Sequence, residues 1–252
     1  MQVKFICLNL WLGGKIFDPI LEFLEKESPD VLVLQEVYDG KDSGLEKRLR
    51  SFEFIRQQLN YNHSFFSPAV IDIHKEGKIE QGNAILSKLP IVKTKTVFYD
   101  IPIRERKIIE GPGDFSLTPR NLQHVEIEAG DRSINIFNTQ GIWGKDGEDN
   151  ERRLKMSEII VREIEGKGNV ILAGDFNTYP KTETVAMIEK KLKNIFKDKL
   201  ATTFNMKRKN NPLFIPNVVD FVFASENIKV VDRYCPDVDI SDHLPLVCVF
   251  EI

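Results

Sequence analysis

The chain has 252 residues, of which 42% are hydrophobic and 29% are charged, a balance that excludes a disordered or low-complexity protein. Lysine and arginine (35) nearly match aspartate and glutamate (38), and the formal net charge is −3. That charge excludes a strongly basic protein that coats nucleic acid, although it leaves room for a local basic patch. No linker or shift in composition divides the sequence, so we expect a single domain over residues 1–252.

The three cysteines, Cys7, Cys235 and Cys248, are scattered among apolar neighbours. This pattern predicts buried, reduced thiols rather than a disulfide framework or a zinc site. No apolar run in the sequence is long enough to span a bilayer, and the first residues lack a charged leader. We therefore expect a cytoplasmic monomer with no membrane span.

The first elements of the chain predict a strand–helix–strand unit. Residues 3–10 are β-branched and aromatic enough for a buried strand, and residues 31–36 form a second, continuously apolar one. Between them, Asp18 and Pro19 predict a helix with Asp18 as its N-cap and Pro19 in its first position. Such a unit joins parallel strands through a right-handed crossover.

The middle of the chain changes character. Ser43 and Glu46 form a capping box that predicts the start of a second helix. Strand-like runs separated by proline or Gly-Asp turns follow, which favours antiparallel pairing. These runs cover residues 83–87, 91–98, 122–129 and 133–139.

The last part of the chain again mixes helices and strands. Helices are predicted over about residues 149–165 and 182–192, and strands over residues 169–175, 218–225, 228–234 and 244–252. So many strands make one open sheet unusually wide. We therefore expect an α/β (α+β) protein in which two mixed sheets pack face to face with helices outside.

Polar residues stand where several of these apolar strands end. Because the carboxyl ends of parallel strands form the crevice of such sheets, and an antiparallel last strand begins at the same edge, their side chains are expected to converge. The positions are Asn9, Gln35, Glu36, Asn138, Thr139, Gln140, Asp175, Asn177, Asp220, Asp242 and His243.

Most of these residues have a purely structural alternative. Asn9 alone is typical of a capped turn, Glu36 of a solvated strand end, and Asp175 of an N-cap. Asp220 differs, because a carboxylate within the apolar run VVDFVF is costly to bury unless it is paired. His243 is the natural partner, since a carboxylate fixes the tautomer of an imidazole.

Oxygen donors with one or two carboxylates suit magnesium, and together with an Asp–His pair they are the equipment of metal-assisted phosphoester hydrolysis. Basic residues elsewhere have two interpretations. Arg104, Arg106, Lys107 and Arg120 either line a groove for a phosphate backbone or are solvated loop charges. We interpret residues 207–209 (KRK) as a solvated loop, with contact to phosphate as the alternative.

Six sequence motifs follow one another along the chain in a characteristic order. They are LNLWLGG around Asn9, VLVLQEV around Glu36, QGNAILSKLP, GDFN at residues 174–177, VVDFVFAS around Asp220, and ISDHLPLVCVF near the end. The chain thereby resembles the endonuclease/exonuclease/phosphatase superfamily of DNase-like, metal-dependent phosphoesterases over nearly its whole length. The resemblance implies a four-layer αββα sandwich.

The resemblance also implies a metal site. Glu36 is expected to be the main ligand, with Asn9 and Asp242 nearby. The implied cofactor is Mg²⁺, for which Mn²⁺ can substitute.

The catalytic roles follow from the same resemblance. Asp175 is expected to orient or deprotonate the attacking water, and Asn177 to hold the water or the phosphate. His243, oriented by Asp220, is expected to stabilise the charge of the transition state. Arg120, Asn121 and Trp143 are candidate substrate-binding residues.

The sequence departs from the family at Gln140, where most members have histidine. Glutamine can donate a hydrogen bond but cannot deliver a proton, and loss of a general acid typically costs about 10²–10⁴-fold in rate. Three interpretations stay open: a natural variant that tolerates a good leaving group, a weakened or lost activity, or an introduced substitution.

The first functional hypothesis is therefore a magnesium-dependent phosphodiesterase that acts as an endo- or exonuclease, with activity affected by Gln140. The alternatives are a phosphatase or phosphodiesterase for small-molecule or lipid phosphoesters, and a catalytically impaired protein that binds a phosphate ligand or nucleic acid. Mild acidity weakens the nuclease hypothesis.

Overall fold

The computed structural model of the protein describes residues 1–108, 113–209 and 215–252. Within these ranges the strands are β1 (Gln2–Asn9), β2 (Val31–Tyr38), β3 (His63–His74), β4 (Gly77–Ser87), β5 (Ile91–Phe98), β6 (Arg104–Lys107), β7 (Asn121–Ala129), β8 (Arg132–Gln140), β9 (Val170–Asp175), β10 (Lys193–Asn194), β11 (Asp220–Ala224), β12 (Lys229–Tyr234) and β13 (Leu246–Glu251). The helices are α1 (Phe17–Glu27), α2 (Ser51–Gln58), α3 (Glu151–Ile164) and α4 (Glu183–Glu189), with a 3₁₀ helix at Lys47–Arg50.

The described strands form two mixed sheets, with the orders β12-β13-β1-β2-β4-β3-β6 and β10-β11-β9-β8-β7-β5. β1 and β2 pair in parallel, as the strand–helix–strand unit predicts. β13 runs antiparallel to β1, so its first residues lie beside the end of β1. The hairpin of β7 and β8 turns through Gly130 and Asp131.

The two sheets pack face to face through an apolar core that includes Phe5 and Val33 from one sheet and Ile136 and Val222 from the other. Helices α1 and α2 cover the outer face of the first sheet. Helices α3 and α4 cover the outer face of the second. The predicted fold class, two packed mixed sheets with helices outside in a DNase-like sandwich, is confirmed.

Helix α1 begins earlier than predicted. Its first residue is Phe17, and the N-cap is Ile16, which makes no capping hydrogen bond through its side chain. Asp18 and Pro19 therefore both lie inside the first turn. Proline is tolerated there because the N–H groups of the first turn have no intrahelical acceptor.

The predicted capping box is also wrong. Asp42 accepts a hydrogen bond from the main-chain N–H of Gly44 at 2.8 Å, which is a local turn that competes with a helix. The chain then passes through the 3₁₀ helix, and α2 begins at Ser51. Ser43 and Glu46 thus precede the helix that they were expected to open.

Strands β3 and β6 were not predicted. β3 contains Pro68, and the pairing with β4 shifts register between Pro68 and Val70, which is where a strand tolerates proline. β6 consists of the charged residues RERK and pairs with β3 at the edge of the sheet. Charged edge strands carry no apolar alternation, so their sequence gives no strand signal.

The cysteines, all of which lie in the described ranges, are free thiols, and Cys7 and Cys248 are buried. No helix in the described part of the chain is long and apolar enough to cross a membrane.

Candidate active site

Most of the predicted polar residues meet at one edge of the sandwich, where β1, β2, β8 and β9 end and β11 begins. The prediction is wrong for Gln35, Asn138 and Thr139, which are fully buried and whose side chains bond neighbouring strands instead. Asn9 links two of them, since its Nδ2 donates to Glu36 Oε1 at 3.3 Å and to Asp175 Oδ2 at 3.0 Å. Its Oδ1 accepts from the main-chain N–H of Trp11 at 3.0 Å. Asn9 therefore turns its amide nitrogen toward the carboxylates and orients both of them.

The backbone of β2 is distorted to place Glu36. The pairing of β2 with β4 shifts register between Leu34 and Val37, and Glu36 itself has a φ of +56°. A left-handed residue other than glycine is strained, and such strain persists where surrounding contacts fix it. Here the carboxylate accepts from the main-chain N–H of Leu12 at 2.7 Å, and this bond helps to hold Glu36 toward the edge.

In the GDFN motif, the main chain of β9 approaches β8 closely before the chain enters the following turn. Gly174 has a φ of +152°, and a Cβ there would lie 1.9 Å from the main-chain oxygen of Thr139, so no side chain fits. Asp175 Oδ1 accepts from the main-chain N–H of Asn177 at 3.0 Å, and Asn177 Nδ2 donates to the main-chain oxygen of Gly141 at 3.1 Å. The motif thereby fixes Asp175 and Asn177 relative to β8.

Asp220 and His243 form the buried pair expected from the sequence. The distance between Asp220 Oδ2 and His243 Nδ1 is 2.9 Å, and the two residues are 2% and 5% exposed. Asp220 also lies opposite Asp175 in the antiparallel pairing of β11 with β9. The imidazole therefore has Nδ1 tied to a carboxylate, which leaves Nε2 as its second donor.

The pKa values of Asp175 and His243 are both raised, but for different reasons. Burial raises the pKa of Asp175 to about 6, against the attraction of His243, and Asp220 and Glu36 add to the rise. Burial alone would lower the pKa of His243, but Asp220 and Asp175 outweigh it and raise the pKa to about 9. At neutral pH the cluster thus presents a weakly basic carboxylate beside an imidazolium.

Gln140 is held at both ends of its amide. Its Nε2 donates to Glu36 Oε1 at 2.8 Å, and its Oε1 accepts from the guanidinium of Arg120. Arg120 is 6% exposed, and its Nε has no hydrogen-bond partner among the described residues. Burial lowers the pKa of Arg120 to about 10, which leaves it charged at neutral pH. Gln140 therefore connects a buried cation to Glu36.

Asn121 and Trp143, the other two candidate substrate-binding residues, differ in burial and in their contacts. Asn121 is fully buried, accepts from Asn83 Nδ2 at 3.0 Å and donates to the main-chain oxygen of Pro68 at 3.1 Å. Its amide is thus used between strands. Trp143 is partly exposed and packs edge to face on Phe115, with ring centroids 5.7 Å apart.

Lys209, which sequence reasoning assigned to a solvated loop, belongs to the site. Its Nζ donates to Asp242 Oδ2 at 2.8 Å, and the side chains of the two residues are only 14% and 12% exposed. Lys207 is exposed, as expected. Lys209 and Asp242 are 33 positions apart, and no periodicity or motif in the sequence indicates that they meet.

The basic residues of the middle strands also include both buried, paired side chains and exposed ones. Arg106 binds the fully buried Asp72 through two hydrogen bonds of 2.8 and 2.9 Å, so its charge is compensated inside the protein. Tyr38 also donates to Asp72, at 2.7 Å. Arg104 and Lys107 are exposed on β6.

The donor set fits a hard divalent cation. Glu36, Asp175 and Asp242 supply carboxylate oxygens at one edge, and oxygen is the ligand atom that Mg²⁺ and Mn²⁺ prefer. Among the described residues, the three whose ligand atoms lie within 4.8 Å of one another are Asp175, Asp220 and His243. The described residues thus provide an acidic cluster in which a cation can be held.

A sequence profile of the Endonuclease/Exonuclease/phosphatase family matches residues 6–243. The chain belongs to this family. Its members are phosphoric ester hydrolases, both nucleases and phosphatases, and are generally dependent on divalent metal ions, so the predicted enzyme class is confirmed.

Individual proteins are similar to this chain in sequence or in fold. The chain is 27% identical over 260 residues to the uncharacterized protein L388 of Acanthamoeba polyphaga mimivirus, an alignment that covers 93% of this chain and 90% of that protein. The structure is similar to a humanized D. rerio TDP2, with a TM-score of 0.70, 12% identity and coverage of 100% and 99%. It is also similar to the mannosyl-6-phosphatase Bt3783 of Bacteroides thetaiotaomicron, with a TM-score of 0.69, 18% identity and coverage of 99% and 100%.

Proposed function

We propose that this phosphoesterase is a magnesium-dependent phosphodiesterase that acts on nucleic acid, and that Mn²⁺ can replace Mg²⁺. One observation carries the proposal: Asp175, with a pKa of about 6, lies beside the charged Asp220–His243 pair and is joined to Glu36 through Asn9. A base, a cation and a candidate metal ligand are thereby held in one hydrogen-bonded cluster.

The roles follow from this geometry. Asp175 is deprotonated above about pH 6 and can accept a proton from water, because a base works best near its operating pH. Asn177, held against Gly141, is beside Asp175 and orients the water or the phosphate. His243 donates from Nε2 to a phosphoryl oxygen and stabilises the negative charge that develops there.

Glu36 and Asp242 would hold the divalent cation, which would supply polarisation of the phosphoryl oxygen and offset its charge. The chain's own contribution is to keep the Glu36 carboxylate oriented through Leu12, Asn9 and Gln140.

The charge of the site favours a diester. Glu36, Asp175, Asp220 and Asp242 supply four carboxylates to this edge, against the cations Arg120, Lys209 and His243. A phosphodiester carries a single negative charge, whereas a monoester carries about 1.5 to 2 at pH 7. The diester therefore needs less compensation. Phosphomonoester hydrolysis is the second candidate, because a phosphatase is among the structurally similar proteins.

A substrate panel tests the proposal. Single-stranded DNA, duplex DNA, RNA, bis-nitrophenyl phosphate and nitrophenyl phosphate are assayed with Mg²⁺, with Mn²⁺ and with a chelator. We expect metal-dependent cleavage of nucleic acid and of the diester, abolished by chelation and by Asp175→Asn. Turnover of the monoester alone would transfer the assignment to a phosphatase, and metal-independent turnover would contradict the cation site.

A further inference from the structure

The segment Asn205–Lys209 is fastened to the residues around Asp242 that precede β13. The main-chain N–H of Asn205 donates to the main-chain oxygen of Asp242 at 2.9 Å. Arg208 binds Asp239 through two hydrogen bonds of 2.6 and 2.7 Å. The main-chain N–H of Lys209 donates to the main-chain oxygen of Asn205 at 2.9 Å, which closes the segment on itself. The position of Lys209 is therefore fixed by the fold.

The ammonium of Lys209 lies inside the site. Besides its contact with Asp242, it lies 5.1 Å from the centre of the Phe204 ring, and that ring packs edge to face on His243 at 5.5 Å. Burial alone would lower the pKa of Lys209, but Asp242, Glu36 and Asp175 outweigh it and raise the pKa. The ammonium is thus charged and within electrostatic reach of both Glu36 and Asp175.

Lys207, two residues earlier, is a useful contrast. It reaches Asp237 at 3.3 Å, but the two side chains are 60% and 76% exposed. An exposed pair of this kind contributes little. Withdrawing an ion pair from water is costly and is weak evidence for a role in stability, so the burial of Lys209 with Asp242 calls for another role.

We propose that Lys209 is a phosphate-binding residue that pairs with Asp242 until a divalent cation takes over that carboxylate. The inference deepens the proposed function and rests on it. Asp242 cannot be fully available to an ammonium and to a divalent cation at once, so the two compete. Once Asp242 faces the cation, the ammonium stays near the Phe204 ring that packs on His243, and an anionic phosphate at this edge can take the place of Asp242 as its partner.

Two opposite effects distinguish this role. Removing the ammonium leaves Asp242 unopposed, so a divalent cation binds more tightly. Removing it also takes one cation from the phosphate, so substrate binds more weakly. A merely structural lysine would weaken both through local disorder, and a solvated one would change neither.

The test compares the wild type with Lys209→Met and with the matched control Lys207→Met. Calorimetry with Mg²⁺ in the absence of substrate is expected to give a Kd about threefold to tenfold lower for Lys209→Met, the scale of one nearby charge. Steady-state kinetics at saturating Mg²⁺ on bis-nitrophenyl phosphate are expected to give a KM about tenfold higher or more, with a smaller change in kcat. Lys209→Arg should recover part of the KM, and Lys207→Met should match the wild type in both measurements.

Unchanged or weaker Mg²⁺ binding by Lys209→Met, or an unchanged KM, would overturn the role of Lys209 while a metal-dependent wild type still supports the proposed function. A wild type that binds no divalent cation and hydrolyses no diester overturns both. The thermal midpoint of each variant separates loss of fold from loss of binding.

Discussion

Two groups of side chains at the same edge of the sandwich are built in opposite ways. The Glu36 group consists of Glu36 with its donors Asn9, Gln140 and the main chain of Leu12. The Asp175 group consists of Asp175, Asp220 and His243, all at most 5% exposed. The Glu36 carboxylate is partly exposed and held by neutral donors, whereas the three side chains of the Asp175 group are buried and held by charge.

The difference has a chemical consequence. Neutral hydrogen bonds orient the Glu36 carboxylate without neutralising it, so it keeps its charge for a cation. Burial among charges, in contrast, moves the pKa of Asp175 and of His243 toward the values that proton transfer and charge stabilisation need. One group is thus prepared for ligation and the other for handling protons.

The largest expected effect comes from the Asp175 group. Asp175→Asn removes the base and should lower kcat by about 10²–10⁴-fold at saturating Mg²⁺. In the wild type, activity should fall as the pH drops through about 6, because protonation removes the base. Steady-state rates across pH and Mg²⁺ calorimetry are measured on the wild type and on Asp175→Asn. Asp146→Asn, which alters an exposed carboxylate, is the control. Near-normal turnover by Asp175→Asn would place the base elsewhere.

Glu36→Gln tests the Glu36 group independently of the Asp175 group, because glutamine keeps the shape of the side chain and removes its charge. We expect Mg²⁺ affinity and activity to fall by about 10- to 100-fold, because a charged ligand becomes neutral, while the fold is kept. Calorimetry and thermal unfolding measure both effects. Unchanged Mg²⁺ affinity would remove Glu36 from the cation site.

Asp220→Asn sharpens the contrast within the Asp175 group. Loss of its charge removes one cause of the raised pKa of His243, so the pKa falls from about 9 and the alkaline limb of the pH–rate profile moves to lower pH. We expect kcat to fall by about tenfold or more, with little change in KM. Asp72→Asn, which alters a buried carboxylate paired with Arg106, is the matched control for loss of a buried charge. A wild-type profile for Asp220→Asn would make Asp220 a structural carboxylate.

Gln140→His has the smallest expected effect and tests the member of the Glu36 group that also binds Arg120. An imidazole there can supply a proton, so turnover should rise on the order of 10-fold for a poor leaving group such as a nucleoside alkoxide. The gain should shrink for a nitrophenyl ester. Rates on both substrates measure it, and equal or lower activity on the alkoxide would mean that Gln140 serves to connect Arg120 with Glu36.

Much of the fold and the main residues of the site follow from the sequence. The apolar runs ending in Asn9, Glu36 and Asp175 predict both the parallel strands and the edge at which they meet. Asp220 within an apolar run predicts a paired carboxylate. These features depend on local pattern and on the rule that strand ends form the crevice.

What the sequence does not predict depends on contacts between distant segments. The left-handed backbone of Glu36 arises where β2 meets β4, and the pairing of Lys209 with Asp242 depends on the path of the chain between α4 and β11. The burial of Arg120 behind Gln140 likewise follows from packing of the sheets. The charged strand β6 owes its conformation to β3, because its own residues favour no strand.

The close contact at Gly174 fixes the distance between two strands at the site. Because only a hydrogen atom fits between Gly174 and Thr139, the main chains of β8 and β9 set the spacing of the next register pair, Gln140 and Asp175. Main chain held at contact cannot adapt to the size of a substrate. In the proposed reaction a phosphate would therefore meet Gln140 and Asp175 at one fixed spacing, and discrimination between substrates would depend on the residues that flank it along the edge of the sandwich.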